Sequence, residues 1–237
     1  ICLTLLQDNY NIFVVDNFLN SSRKVFDSLK QIMQNEDNFD ENRLNIMEGD
    51  IRNEKFLNQV FAYANKNKIS IDGVIHCAGL KAVKESIYDP LSYWDTNVCG
   101  SINLLKVMNK NQCRTILFSS SATVYGKSDK IPLKETATLN PINPYGETKL
   151  TVERILENLF DSSSSRWNIG YLRYFNPIGA HQSGLIGENP TGEPENIFPL
   201  ICQVASGLKE KLYIYGNDWP TEDGTCRRDF IHIVDLA

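Results

Sequence analysis

Residues 73–76 read Gly73-Val74-Ile75-His76, and residues 115–118 read Thr115-Ile116-Leu117-Phe118. Each is a short apolar run of the kind that forms a strand buried on both faces. Between them, Asp95 to Asn109 carries apolar residues at helical spacing. Strand, helix, strand is the pattern of a parallel pair joined by a crossover. Working outward, the same alternation continues. Asn11 to Asp16 reads as a buried strand ending in an acid, Lys24 to Asn35 as a helix, and Asn45 to Asp50 as a short strand. Phe56 to Asn65 and Glu147 to Phe160 read as helices, and Asn168 to Tyr174 as a fifth strand. The polar, acidic stretch Asn35 to Asn42 reads as a surface insertion, and Ser162 to Ser165 as a polar connector. The expected fold class is α/β, a doubly wound parallel sheet with helices on both faces. After Asn176 the chain turns Gly- and Pro-rich and the alternation weakens, so a second, substrate-facing region is expected there.

The composition excludes several function classes. The 237 residues are 42% hydrophobic and 22% charged, an ordinary globular balance. A formal charge of −5 argues against non-specific nucleic-acid binding, which needs a basic patch. No apolar run approaches the ~18 residues of a membrane span. The six cysteines (Cys2, Cys77, Cys99, Cys113, Cys202 and Cys226) form no C-x-x-C pair. They read as small, scattered residues of a reducing, cytoplasmic compartment rather than a disulfide framework. His76, His181 and His232 lack metal-ligand spacing, so no zinc site is expected. The apolar start, Ile1 to Leu6, runs straight into Gln7-Asp8-Asn9 and does not read as a signal peptide. The chain begins without Met and stops inside a helix-like pattern, and the expectation is a fragment cut at both ends.

The strongest chemical signal is Tyr145-Gly-Glu-Thr-Lys149, preceded by Phe118-Ser119-Ser120-Ser121-Ala122-Thr123-Val124-Tyr125-Gly126. On a helix, Tyr145 and Lys149 share a face. A free tyrosine titrates near pH 10, and a nearby ammonium favours the phenolate. The pair is then a candidate general base, with a serine at the end of the preceding strand holding the same substrate oxygen. With ten tyrosines in the chain, a Y-x-x-x-K is expected about once by chance, so the pair alone carries nothing. Its order after a strand and a serine run carries the assignment. Asp16 at a strand end is where a dinucleotide-binding fold holds the adenine ribose, although Asp-Asn is also a common turn. Asp50-Ile51 and Cys77-Ala78-Gly79 follow two further strands, at the carboxyl edge where such sheets bind ligands.

On these residues the chain resembles the nucleotide-sugar 4-epimerases of the extended short-chain dehydrogenase/reductase family, those acting on UDP-glucose and UDP-galactose. The resemblance runs over essentially all 237 residues. It includes Asp16 to Ser21, Glu48 to Arg52, His76 to Val83, Phe118 to Gly126, Pro144 to Lys149, Leu172 to Pro177, Gly216 to Asp218 and Pro220 to Thr225. It implies a Rossmann-type sheet, bound NAD, a homodimer, and inversion at sugar C4 through a transient 4-keto sugar. By position, Tyr145 would be the base, Lys149 its partner and a ligand of the nicotinamide ribose, and Ser121 the support of the sugar hydroxyl. Asp16, Asn17, Ser21, Asp50, Ile51, Cys77, Ala78, Gly79, Lys81, Asn97 and Phe175 would line the NAD site. Lys81, Asn176, Asn196, Tyr215 and Arg228 would contact the UDP-sugar, with Tyr215 against the uracil and Arg228 on phosphate. The resemblance also divides the chain into an NAD domain (1–176), part of a substrate region (177–222) and a return segment (223–237).

The chain departs from the family in three places. Cys77 stands where an aromatic residue is common. The first strand with its G-x-x-G-x-x-G turn is missing, so Ile1 to Gln7 would be the tail of the first helix, and the C-terminal part is missing too. In a doubly wound sheet the first strand is central. Its loss would leave the Asp16 strand unconnected to the His76 strand, and the chain expressed alone is expected to fold poorly and be inactive. A related 4,6-dehydratase or decarboxylase is the rival reading. A dehydratase needs an acid/base pair after the serines, where this chain has Ala122 and Thr123.

Overall fold

The computed structural model describes residues 1–34, 39–128, 131–162, 166–190, 192, 194 and 196–237. Half of the expected insertion at 35–42 and most of the connector at 162–165 lie outside the described residues. Along the chain run α1 (Cys2–Gln7), β1 (Ile12–Asp16), α2 (Lys24–Met33), β2 (Leu44–Glu48), α3 (Glu54–Lys66) and β3 (Val74–His76). Then follow α4 (Val83–Tyr88), α5 (Pro90–Tyr93), α6 (Gly100–Lys110), β4 (Thr115–Ser121), α7 (Pro144–Asp161) and β5 (Asn168–Tyr174). The last elements are β6 (Asn176–Ile178), α8 (Ile197–Ala205), β7 (Phe230–His232) and α9 (Ile233–Leu236).

The fold is α/β with parallel sheets, as the alternation of strand and helix requires. β3, β4 and β5 form one parallel sheet in which Val74 faces Ile116 and Ser120 faces Arg173. β1 and β2 form a separate two-stranded sheet. The amide of Gly49, just past β2, donates to the carbonyl of Asp16 at 3.0 Å, so the carboxyl ends of these two strands lie side by side. No ladder joins β1 to β3 among the described residues, which is the gap the strand order anticipates. Ile75 in β3 is 39% exposed, a high value for an inner apolar strand. The short parallel pair β6–β7 is a third sheet.

Chain contacts divide the molecule into two compact units, neither continuous in sequence. One comprises 13–17 and 46–174, the other 1–12, 18–45 and 175–237. The core of the first is built from α3 (Leu57, Phe61), α6 (Leu104, Val107, Met108), β4 (Ile116, Phe118) and α7 (Val152, Leu156), closed by Trp167. Two of its core helices, α3 and α7, start at side-chain caps. Asn53 accepts from the Phe56 amide at 3.0 Å to begin α3. Asn143 accepts from the Gly146 amide at 2.8 Å, and Pro144 occupies the first helical position, to begin α7. In the second unit, Leu3 and Leu6 of α1 are buried, and Arg43 ties the end of that helix by donating to the Leu6 carbonyl at 3.1 Å.

Two elements differ from the sequence reading in ways that matter for the site. β4 runs on past Phe118 to Ser121, because β5 pairs with it in register as far as Tyr174. The three serines are therefore strand residues, Ser120 pointing to the buried side and Ser119 and Ser121 less so. The single helix expected from Asp95 to Asn109 is instead a π-helical segment, Trp94–Cys99, followed by α6, with α5 directly before them. An inserted residue in such a segment rotates the side chains that follow. Here it carries Asn97 inward, where it is 3% exposed.

Candidate active site

The site gathers at the carboxyl ends of β3 and β4 and the first turns of α7. Tyr145 and Lys149, four residues apart on α7, both turn toward β4. The Tyr145 phenol lies within interaction range of the Ser121 hydroxyl, which favours its deprotonated form. Ser121 also caps the 3-10 turn Ala122–Tyr125, accepting from the Thr123 amide at 3.2 Å and its hydroxyl at 3.0 Å. Lys149 Nζ donates to the Ser119 carbonyl at 2.7 Å and lies 4.8 Å from the centre of the Phe118 ring and 5.7 Å from that of Tyr145. The structure thus brings together the three residues read from the sequence as catalytic.

Their electrostatics differ from the simple expectation. Burial raises the Tyr145 phenol above its ordinary value, and the Ser121 side chain works against that rise. Burial also lowers the Lys149 ammonium to about 8, with Cys77 opposing. Lys149 was expected to favour the phenolate, but with only 5% of the residue exposed its own charge is costly to keep. Desolvation is the first cause of the shift in both partners, disfavouring the charged form of each.

A second layer of polar groups lies beneath this pair. His76, at the end of β3, is fully buried and neutral, its pKa pushed down to about 3 by burial first and by Lys149 second. Ser101 gives its proton to the Asn97 carbonyl at 2.5 Å, and His76 Nε2 lies 2.8 Å from the Ser101 oxygen. A hydroxyl has one proton, so His76 Nε2 must be the donor in that contact. The Asn97 amide accepts from the Leu80 amide at 2.8 Å, donates to the Leu80 carbonyl at 3.0 Å, and donates to Thr148 Oγ1 at 3.1 Å. It therefore holds the Gly79-Leu80 turn against the residue beside Lys149. Gly79 sits at φ +153, and a Cβ there would come within 2.9 Å of the Asn97 oxygen. Only glycine fits such a backbone without strain.

The other expected positions divide between the units. Asp16, Asn17, Asp50, Ile51, Cys77, Ala78, Lys81 and Asn97 belong to the same unit as Tyr145. Asp50 accepts from Arg52 Nη2 at 2.7 Å and from Asn17 Nδ2 at 3.4 Å, and the Arg52 bond holds its carboxyl down to about 2. Ile51 is buried against Gly100. Cys77 is exposed and forms no disulfide. Ser21, Phe175, Asn176, Asn196, Tyr215 and Arg228 belong to the other unit. There, Asn176 donates to the Asp229 carbonyl at 2.8 Å and Asn196 to Glu188 at 3.0 Å, while Tyr215 is 84% exposed and Arg228 exposed. Among the described residues no His, Cys, Asp and Glu cluster could hold a metal ion, and no helix is long and apolar enough to cross a membrane.

Sequence reading missed one group in this unit. Glu153, one turn beyond Lys149 on α7, is 0% exposed. It accepts from the Ser120 hydroxyl and from Arg173, whose Nη2 lies 2.8 Å away. Arg173 also donates to Tyr125 Oη at 3.1 Å and to the Glu135 carbonyl at 3.0 Å. The signal was present as the four-residue spacing Tyr145, Lys149, Glu153.

Known proteins share this sequence and this fold. The chain is 47% identical over 236 residues to a UDP-glucose 4-epimerase of Neisseria meningitidis, covering 99% of this chain and 66% of that protein. It is similar to the crystal structure of UDP-glucose 4-epimerase from Bifidobacterium longum in complex with NAD+ and UDP (TM-score 0.88, 43% identity, 99% of this chain and 66% of that one). It is also similar to the enzyme of Stenotrophomonas maltophila with bound NAD and formylated UDP-arabinopyranose (TM-score 0.89, 41% identity, again 99% and 66%). The chain therefore spans just under two thirds of the length of these relatives. Residues 1–237 in their entirety match the NAD dependent epimerase/dehydratase family, and the chain belongs to that family.

Proposed function

We propose that the full-length protein inverts C4 of UDP-glucose and UDP-galactose using bound NAD, with Tyr145 as the base. The observation that carries the reading is the pairing of two α7 side chains with the end of β4, Tyr145 with the Ser121 hydroxyl and Lys149 with the Ser119 carbonyl. The cofactor fits the residues present. Asp16 and Asp50 end neighbouring strands at one edge, and Gly79 lies at a turn that any side chain would fill. There Asp16, Asn17, Asp50 and Ile51 would hold the adenosine half, and Cys77 to Gly79 with Lys149 the other half. Bound NAD+ supplies a hydride acceptor that becomes the donor once the sugar is oxidised.

The chain's own residues do the rest. Tyr145 Oη takes the proton of the sugar 4-hydroxyl and returns it after the 4-keto sugar has presented its other face. Ser121 holds the same oxygen through its hydroxyl. Lys149 has three protons and spends one on Ser119, so two remain for the cofactor ribose and the phenolate side. The positive charge of the oxidised cofactor, when bound, would shift the Tyr145 phenol in the direction opposite to burial. Lys81, Asn176, Asn196, Tyr215 and Arg228 are assigned to the UDP-sugar, with the guanidinium on phosphate. A homodimer in a reducing, cytoplasmic setting completes the proposal. Ile87, Tyr88 and Leu91 expose an apolar patch on α4 and α5 suited to a second copy, and none of the six cysteines is in a disulfide.

The test is Tyr145→Phe in the full-length protein. Loss of a general base costs about 10²–10⁴-fold in turnover, while bound NAD should be retained. A variant with near wild-type turnover would overturn the assignment.

A further inference from the structure

We propose that Glu153 is the positioning residue of the catalytic centre, locking helix α7 onto the β4–β5 strand pair so that Tyr145 meets Ser121 and Lys149 meets the Ser119 carbonyl. The inference rests on the assignment of Tyr145 as base. Tyr145, Lys149 and Glu153 lie one helical turn apart in succession, so they share a face of α7. Each engages a different serine of β4: Tyr145 the hydroxyl of Ser121, Lys149 the carbonyl of Ser119, and Glu153 the hydroxyl of Ser120. Three contacts on three consecutive residues leave the helix no freedom to slide along the strand.

Glu153 is the anchor of the three because it grips both strands at once. Ser120 and Arg173 are register partners in the parallel ladder, and their side chains converge on the one carboxylate. Arg173 carries the grip further, to Tyr125 Oη and the Glu135 carbonyl, with its guanidinium 5.1 Å from the Tyr125 ring. Tyr125 ends the 3-10 turn that Ser121 caps. The network therefore fixes the helix bearing the base and the turn bearing the serine relative to each other. It does so from the buried side, with Glu153 0% exposed. Glu153 touches neither Tyr145 nor the space above it, so its effect on the reaction is transmitted through position.

A displaced base has two separable signatures. Misplacing a reacting group by about 1 Å costs on the order of 10²-fold in rate. Weakening the Tyr145–Ser121 contact also removes the one influence that lowers the Tyr145 phenol, so the acidic limb of the rate profile moves to higher pH. The other ionisable groups around the pair are His76 from β3, Cys77 just beyond it, Tyr93 from α5 and Tyr174 from β5. None of them is altered by a change at residue 153.

The experiment compares Glu153→Asp, Ser120→Ala and the control Glu157→Gln with wild type in the full-length enzyme. Glu157 lies on the same helix and only accepts from the exposed Tyr171 hydroxyl at 2.9 Å. Expected are a fall in kcat of about 10–10²-fold in Glu153→Asp and about 10-fold in Ser120→Ala, KM for the UDP-sugar and NAD content unchanged, and an acidic limb moved upward in both. Glu157→Gln should match wild type. Ser120→Ala keeps the ion pair with Arg173, so it reads the positioning contact even if Glu153→Asp folds badly. Wild-type kcat and limb in Ser120→Ala, or losses that track melting temperature and NAD content alone, would overturn the proposal. If Tyr145→Phe retains full turnover, the reading of the base has failed and this inference falls with it. If Tyr145→Phe is inactive while Ser120→Ala and Glu153→Asp are normal, only the positioning role is refuted.

Discussion

Replacing Arg173 by Met should destabilise the protein far more than the loss of a typical arginine. The Glu153–Arg173 pair is shielded, with side chains 1% and 10% exposed and a closest approach of 2.8 Å. Methionine keeps much of the apolar stem but removes all five hydrogen bonds of the guanidinium: three to Glu153, one to Tyr125 Oη and one to the Glu135 carbonyl. The larger consequence falls on Glu153, which is 0% exposed and, among the described residues, keeps only Ser120 as a donor. Breaking a buried pair by deleting one partner costs about 3–5 kcal/mol, because a desolvated charge is left uncompensated. At about 2–4 °C per kcal/mol for a domain of this size, the melting temperature should fall by roughly 6–20 °C. Differential scanning calorimetry of the full-length enzyme at fixed NAD reads this directly. The double variant Arg173→Met/Glu153→Gln removes the orphaned charge while Gln still accepts from Ser120, so it should recover at least half of the loss. A single variant melting within about 2 °C of wild type, or a double variant losing the sum of two independent changes, would refute the argument that pairing rather than bulk holds this site.

Three further predictions follow from the geometry. Turnover should climb with pH through the neutral range, because burial raises Tyr145 and its deprotonated form is the base; in Ser121→Ala, which removes the contact that lowers the phenol, the climb should move to higher pH, and an unmoved profile would sink that role. Cofactor extracted from the full-length protein should be NAD rather than NADP, since Asp16 at the end of β1 would, in the proposed role, accept from ribose hydroxyls and repel a 2′-phosphate; recovery of mainly NADP(H) would count against it. Gly126→Ala should lower stability by at least about 2 kcal/mol and reduce kcat, because Gly126 sits at φ +64 directly after the Ser121-capped turn and a Cβ would overlap the Asn140 carbonyl; urea unfolding with wild-type midpoint would contradict it.

Much of the fold and the outline of the site are written in local pattern. Apolar runs of four to seven residues alternating with helical spacing are enough for an α/β chain with parallel strands, since burial on both faces leaves little other choice. The pairing of Tyr145 with Lys149 follows from helical periodicity, and Asp16, Asp50 and Cys77 lie at strand ends because the same runs stop there. What local pattern cannot supply is the pairing of distant segments. That Ser120, Glu153 and Arg173 meet depends on the register of β4 against β5 and on how α7 lies across them, and no period in the sequence encodes a register between residues 53 positions apart. The division into a β1–β2 pair and a β3–β4–β5 sheet is likewise a property of which strands find hydrogen-bonding partners. The π-helical segment that turns Asn97 inward arises from packing, since its residues read as ordinary helix. The electrostatics complete the contrast. The sequence places an ammonium beside a phenol, but only the tertiary structure decides that both are buried, and burial is the first cause of the shift in each because it disfavours the charged form of both.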